Sequence, residues 1–159
     1  MARFLAWFLA GFVLLGGPMS RAHEYQIGSL TIDHPWARAT AGSARNGAAY
    51  LVVVNRASLA DWLIGAESEA AERIEFHVNE TVNGVISMHA VEAVELPRDV
   101  PVVFEPGGLH LMLKGLTRPL KQGETFDLTL RFRKAGPVVV EVVVGAIGAA
   151  APAHGIGAE

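Results

Sequence analysis

Two histidines and two methionines in this sequence are of the types that bind a soft metal ion. His77, Met88, His110 and Met112 follow one another with ten, twenty-one and one residues between them. Thioether sulfur selects Cu(I), and imidazole binds copper in either oxidation state. The chain has no cysteine, whereas a blue-copper electron-transfer centre needs a Cys thiolate with two His. These residues therefore predict a copper site without thiolate and exclude a blue-copper protein.

The elements that would bring these donors together are β-strands. An Asn-Gly dipeptide at 83–84 is the strongest short-range signal of a two-residue hairpin turn. A turn there places Met88 diagonally opposite His77 on one face, with Cα atoms about 7–8 Å apart. His110 and Met112 are two residues apart, so a strand puts both side chains on one face. Two such pairs on different strands could close a four-donor site.

After residue 22 the sequence consists of short apolar or alternating segments divided by turn residues, and no ten-residue stretch shows a helical period. This pattern is typical of an all-β sandwich or barrel. The run at 138–144 is expected to be a strand covered on both faces, whereas the alternation at 126–132 predicts one buried and one exposed face. The predicted strands are 25–32, 47–55, 61–66, 73–79, 85–96, 100–104, 109–116, 125–133 and 138–144.

The first 22 residues have the features of a secretion signal. Arg3 supplies a positive charge, residues 4–17 form an apolar segment, and small residues precede a cleavage site after Ala22. This segment falls short of the roughly 20 apolar residues that a membrane-spanning helix needs, so we expect cleavage rather than a membrane anchor. The mature protein would then comprise a copper-binding domain at 23–145 and a flexible, Gly/Ala-rich tail at 146–159, with no membrane span.

Composition restricts the classes of function open to the mature chain. Removal of Arg3 and Arg21 leaves 11 basic against 16 acidic residues, so the formal charge changes from −3 to −5. A mildly acidic protein has no electrostatic reason to bind nucleic acid. An exported domain without cysteine is not held together by disulfides. Its length suffices for a single domain with its own core, and we expect a monomer.

The spacing His77-x10-Met88-x21-His110-x-Met112 is similar to the copper-binding motif of the periplasmic PCuAC-type copper chaperones. The resemblance covers nearly all of the mature chain, because four further segments are similar to the same family. These segments are LTIDHPWAR at 30–38, GAAY at 47–50, PGGLH at 106–110 and GLTRPL at 115–120. The resemblance implies a single-domain, cupredoxin-like Greek-key β-sandwich that binds Cu(I) through the two histidines and two methionines.

The resemblance also implies a function and partners. Such a protein is not an enzyme but supplies copper to the dinuclear copper centre of cytochrome c oxidase, often alongside Sco-type thiol proteins. Because this chain has no cysteine, it cannot itself reduce a disulfide of its client, and a separate thiol partner is expected. Many relatives have a Met directly after the first His and further Met nearby, where this chain has Val78, Ile86 and Lys114.

The remaining histidines are interpreted from their positions. After cleavage, His23 could chelate Cu(II) through its α-amino group and ring, with His154 of the tail as a further donor. His34 precedes a proline, which restricts it towards an extended backbone, and we interpret it as structural together with Trp36. His89 neighbours Met88 and therefore points to the opposite face of its strand.

Three other functions remain open from the residues alone. A copper-buffering or resistance protein would have the same site but no specific client. A copper-dependent oxidase would use His23 together with an internal histidine, although none stands out as its partner and no catalytic pattern supports an enzyme. A structural β-domain with an accidental set of His and Met residues is the third alternative.

Overall fold

The computed structural model describes residues 24–152, which form eleven β-strands and no helix. The strands are β1 (Glu24–Ile27), β2 (Leu30–Arg38), β3 (Asn46–Asn55), β4 (Asp61–Glu67), β5 (Ala71–Val82), β6 (Val85–Val91), β7 (Val94–Leu96), β8 (Val102–Phe104), β9 (His110–Leu116), β10 (Thr125–Phe132) and β11 (Gly136–Gly145). In the sheet the strands follow the order β6-β5-β9-β3-β2-β11-β10-β4-β7, with β1 paired to β2 and β8 paired to β3. All of these pairs are antiparallel except that of β11 with β2.

The long sheet closes over one apolar core. Strands β4 and β5 are not hydrogen-bonded neighbours, yet they contact one another across the core. Buried side chains from both ends of the sheet pack in the same cluster, such as Leu63 and Leu128 from one end and Phe76 and Leu111 from the other. This burial removes apolar surface from water, which is the main favourable term in folding. The predicted all-β, single-domain sandwich is confirmed.

Two of the predicted strands are each divided in two. The segment predicted at 25–32 reverses at Gly28, whose φ is +58°, so that β1 pairs with β2 as a hairpin. The segment predicted at 85–96 ends as β6 at Val91, and β7 then pairs with β4 at the other edge of the sheet. Both predictions were wrong because apolar alternation does not reveal a two-residue turn or a change of neighbouring strand.

Burial follows the alternation in β10 but differs from expectation in β11. The side chains of Phe126, Leu128, Leu130 and Phe132 are all buried, as the period of two predicts. In β11, however, Val139 is 54% exposed. The prediction that 138–144 is covered on both faces was therefore wrong, because nothing in the described chain packs over the outer side of Val139.

The two residues near the start of the domain that were interpreted as structural differ in burial. Trp36 is buried and lies against Tyr50, with ring centroids 4.6 Å apart. His34 is exposed and has a φ of +49°, so the prediction of an extended backbone was wrong. The register of β2 against β3 shifts between Asp33 and Trp36, and this irregularity accommodates the left-handed conformation that proline at the next position disfavours.

The predicted signal with His23, and the end of the tail with His154, lie outside the described residues. Residues 146–149, the start of the predicted flexible tail, form a turn in which Ala149 N donates to Ala146 O at 3.1 Å. The Ala149 carbonyl accepts a hydrogen bond from Arg38 Nε at 2.7 Å, so this part of the segment is attached to β2. Residues 24–152 contain no helix of the length and apolarity needed to span a bilayer.

Candidate metal centre

The β5–β6 hairpin has the register that the Asn-Gly turn predicts. Asn83 and Gly84 have φ angles of +52° and +80°, the positive values that a type I′ turn requires at both central residues. Asn79 pairs with Met88 across the hairpin, which places Met88 diagonal to His77 on one face of the sheet. The predicted register is confirmed.

Strand β9 lies on the other side of β5 and carries the second pair of candidate donors. His110 is the Cα partner of His77, and Met112 is the partner of Glu75. Directly paired residues of antiparallel strands share a face, so all four predicted donors lie on one face of β6, β5 and β9. The two imidazole centroids are 5.8 Å apart. The structure brings these side chains to one area, and metal binding by them stays a prediction.

The candidate donors differ in their access to solvent. His77 and His110 are 8% and 7% exposed, although both point away from the apolar core, whereas Met88 on the edge strand β6 is 51% exposed. Met112 in β9 is half-buried. An ion bound here would therefore have two buried nitrogen donors and one sulfur donor at the protein surface.

The loop before β9 fixes the ring of His110. Glu105 N donates to Leu109 O at 2.7 Å, and the turn that this bond closes places the carbonyl of Gly108 3.0 Å from His110 Nδ1. Because a carbonyl oxygen only accepts hydrogen bonds, Nδ1 carries the hydrogen and Nε2 of the neutral ring keeps its lone pair. Contacts of this kind orient imidazoles that bind metals.

Glu75 is a residue of this face that the sequence analysis did not identify. Its carboxylate lies 2.8 Å from His77 Nε2 and accepts hydrogen bonds from Arg73 Nε at 2.7 Å and Lys114 Nζ at 3.3 Å. The hydrogen bond with His77, followed by those with Lys114 and Arg73, lowers the pKa of Glu75 from 4.5 to about 2. The available signal was the alternation of β5, which places residues 75 and 77 on one face.

Sulfur is the donor type that would complete a site around the two imidazoles. Within the described part of the chain, no three His, Cys, Asp or Glu side chains are grouped so that they could hold a metal ion. The thioethers of Met88 and Met112 are the soft donors on the same face. His89 pairs with Val78 and therefore lies on the opposite face of β6, as predicted. A Cu(II) site at His23 and His154 stays a prediction, since both lie outside the described residues.

The match to a protein family covers the whole of this sheet. The family model described as "Putative lipoprotein LpqE-like" matches residues 30–144, which include all four candidate donors. The chain belongs to the LpqE-like family. A relative named "Putative lipoprotein Lxx21020", from Leifsonia xyli subsp. xyli (strain CTCB07), is 35% identical over 120 residues, which cover 74% of this chain and 71% of the relative.

Solved structures of PCuAC domains share the fold of this LpqE-like protein. The "Copper-bound PCuAC domain from PmoF2" is similar with a TM-score of 0.69 and 33% identity, over 78% of this chain and 98% of that domain. The solution structure of "CuI-DR1885" from Deinococcus radiodurans is similar with a TM-score of 0.60 and 27% identity, over 78% and 81% of the two chains. The predicted PCuAC-type resemblance and the cupredoxin-like sandwich are confirmed.

Proposed function

We propose that this protein is an exported copper chaperone that binds one Cu(I) ion through His77, Met88, His110 and Met112. The observation that carries the proposal is the placement of two imidazoles and two thioethers on one face of three adjacent strands. Similarity to a copper-bound PCuAC domain and to a Cu(I)-loaded protein supports copper as the ion.

The donor set suits an ion that must be held and then released. Thioether and neutral imidazole donors carry no charge, so they bind Cu(I) less strongly than thiolates would, while soft sulfur favours Cu(I). The buried imidazoles of His77 and His110 would retain the ion. The exposed thioether of Met88 is the ligand that a donor of the partner could replace first. Copper would then pass by stepwise ligand exchange, and the protein itself catalyses no reaction.

We further propose that the recipient is the dinuclear copper centre in the copper-bearing subunit of cytochrome c oxidase. The resemblance to PCuAC-type chaperones supports this recipient, and the absence of cysteine supports a Sco-type thiol protein as a second partner. The similarity to a lipoprotein supports export, which we place in the periplasm after cleavage at Ala22. All four donors come from one chain, so a monomer suffices.

Anaerobic competition titration with Cu(I), combined with X-ray absorption at the copper edge, tests the site. We expect one tightly bound Cu(I) with both sulfur and nitrogen scattering, and loss of tight binding in the Met88→Ala/Met112→Ala double variant. His89→Ala removes a donor from the opposite face of β6 and should bind like the wild type. Absence of sulfur scattering, or binding that does not depend on the two methionines, would contradict the proposal.

Deletion of the gene separates delivery from buffering. A chaperone predicts impaired assembly of cytochrome c oxidase at low copper, restored by the wild-type gene but not by the Met88→Ala/Met112→Ala variant. Sensitivity to high copper with normal oxidase assembly would instead support a copper buffer without a specific client.

A further inference from the structure

We propose that Glu75 is a positioning residue that fixes the ring of His77 so that Nδ1, and not Nε2, binds copper. This inference rests on the copper site of the proposed function and specifies how one of its ligands is prepared. Glu75 would act through His77 and would not itself be a ligand.

Two cations hold the carboxylate of Glu75 in place. Arg73 Nε donates to Oε1 at 2.7 Å, and Lys114 Nζ donates to Oε2 at 3.3 Å. Oε2 also lies 2.8 Å from His77 Nε2. An ionised carboxylate only accepts hydrogen bonds, so Nε2 of His77 must carry the hydrogen of this contact.

The other nitrogen of the same ring then keeps its lone pair. His77 is 8% exposed, and its Nδ1 is buried with no hydrogen-bond partner among residues 24–152. A buried polar atom without a partner is rare in native proteins and calls for an explanation such as an ion. The two nitrogens of an imidazole point in widely different directions, so the contact with Glu75 turns Nδ1 away from the carboxylate. A soft cation is a suitable partner for that atom.

In the neighbouring ring of His110, the opposite nitrogen carries the hydrogen. His110 Nδ1 donates to the carbonyl of Gly108 at 3.0 Å, which leaves the lone pair of this ring on Nε2. The two imidazoles, with centroids 5.8 Å apart, would therefore bind the ion through different nitrogens. Without Glu75, the ring of His77 could exchange tautomers or rotate, and the ion would lose a donor that is already aligned.

Long-range proton–nitrogen NMR of the whole protein tests this arrangement directly, because it distinguishes a protonated ring nitrogen from one with a lone pair. Before copper is added, we expect hydrogen on Nε2 of His77 and a lone pair on Nδ1. After one equivalent of Cu(I), the change in nitrogen shift should fall on Nδ1. The opposite tautomer in the copper-free protein, or a shift change on Nε2, would overturn the proposal.

Variants at Glu75 give a second measurement. Glu75→Leu removes the acceptor and should weaken Cu(I) binding by about 10–100-fold, with both tautomers of His77 populated. Glu75→Gln keeps a carbonyl acceptor and should retain the tautomer, so it tests the proposal even if the Leu variant does not fold. Glu80→Leu is the matched control, since Glu80 is exposed on the opposite face of the same strand, and it should change neither property.

The outcomes distinguish this inference from the proposed function. If Met88→Ala/Met112→Ala weakens Cu(I) binding while Glu75→Leu changes neither affinity nor tautomer, the positioning role is wrong and the copper site stands. Tighter binding by Glu75→Leu would show that Glu75 competes with copper for His77 and would also overturn the inference. If the methionine variant binds Cu(I) like the wild type, the proposed function itself fails.

Discussion

The environment of the two histidines depends on residues that are not candidate ligands. Glu75 contacts the ring of His77, and the carbonyl of Gly108 contacts the ring of His110. Each contact engages one ring nitrogen and leaves the other for a metal ion. The chemistry of the proposed site therefore depends on five side chains and one backbone carbonyl, and a search for ligands alone would miss a third of these groups.

Stability at acidic pH should depend on Glu75. Its pKa is lowered from 4.5 to about 2, so the ionised carboxylate stabilises the fold above pH 4.5 and this contribution is lost as the pH falls towards 2. We expect the midpoint of urea unfolding to fall more steeply across this range in the wild type than in Glu75→Gln. Asp99 also has a lowered pKa, because it accepts hydrogen bonds from Arg98 and Arg56. Its contribution to the pH dependence of stability is the same in both proteins. Parallel curves for the two proteins would contradict this prediction.

Strand β6 carries Met88, the most exposed donor of the proposed site, and is itself poorly protected from solvent. It forms one edge of the sheet, and Val85, Ile86 and Met88 are all more than half exposed. The strand contains no charged residue and no proline, which are the usual means of preventing edge-to-edge pairing. Its position relative to β5 is set by the turn at Asn83 and Gly84.

We expect Gly84→Ala to loosen this hairpin without unfolding the sandwich. The φ of Gly84 is +80° and no atom lies within 4 Å of an added Cβ, so the cost is conformational and amounts to roughly 1–2 kcal/mol. Hydrogen exchange of β6 amides should become faster and Cu(I) binding weaker, because Met88 is held by this strand. Gly42→Ala adds a methyl group in open space at a position without positive φ and should change neither property. Unchanged exchange in β6 would refute the prediction.

A positive charge on the edge strand β6 should reduce self-association of the protein at high concentration. Ser87 pairs with Glu80 on the face of β6 opposite Met88, so Ser87→Lys introduces both an edge charge and a cross-strand ion pair. Sedimentation of wild type and variant at increasing concentration should show less association of the variant, with unchanged Cu(I) affinity. Ser43→Lys, in the turn before β3, adds the same charge away from the edge. An equal effect of both variants would mean that net charge alone is responsible.

At the scale of the whole molecule, a buried amide helps to join the inner strand β3 to the edge strand β7 of the folded sheet. Asn55 at the end of β3 is fully buried. Its Nδ2 donates to the carbonyls of Leu96 in β7 and Leu59 at 2.9 and 3.0 Å, and its Oδ1 accepts from Ala57 N at 2.9 Å. This one side chain therefore connects β3 to β7, an edge strand that is not its neighbour in the sheet.

Loss of this amide should destabilise the fold while leaving the proposed site intact. Asn55→Ala leaves the buried carbonyl of Leu96 and two part-buried backbone groups without their partner. A buried group left unpaired costs about 1–3 kcal/mol. We expect a decrease of at least that size in the free energy of unfolding measured in urea, with Cu(I) affinity of the folded variant unchanged. Asn46→Ala, exposed at the other end of β3, should change stability by less than about 0.5 kcal/mol. Similar values for both variants would contradict this role of Asn55.

The sequence by itself determined the local features of this protein. The Asn-Gly turn specified the β5–β6 register because its backbone conformation depends on two adjacent residues. The alternation in β10 specified the buried face because side chains of a strand repeat every two residues. The types and spacing of His77, Met88, His110 and Met112 indicated copper because donor softness is a property of each side chain.

The tertiary structure alone decided which strands became neighbours and which faces were covered. The pairing of His77 with His110, the ion pair of Glu75 with Lys114 and the exposure of Val139 all depend on strands far apart in the sequence. The division of the predicted strands at 25–32 and 85–96 has the same origin. The order of the strands, and which of their faces are buried, follow from how the sheet closes over its core. The free energy of that burial is a sum over the whole chain, so no local sequence pattern predicts it.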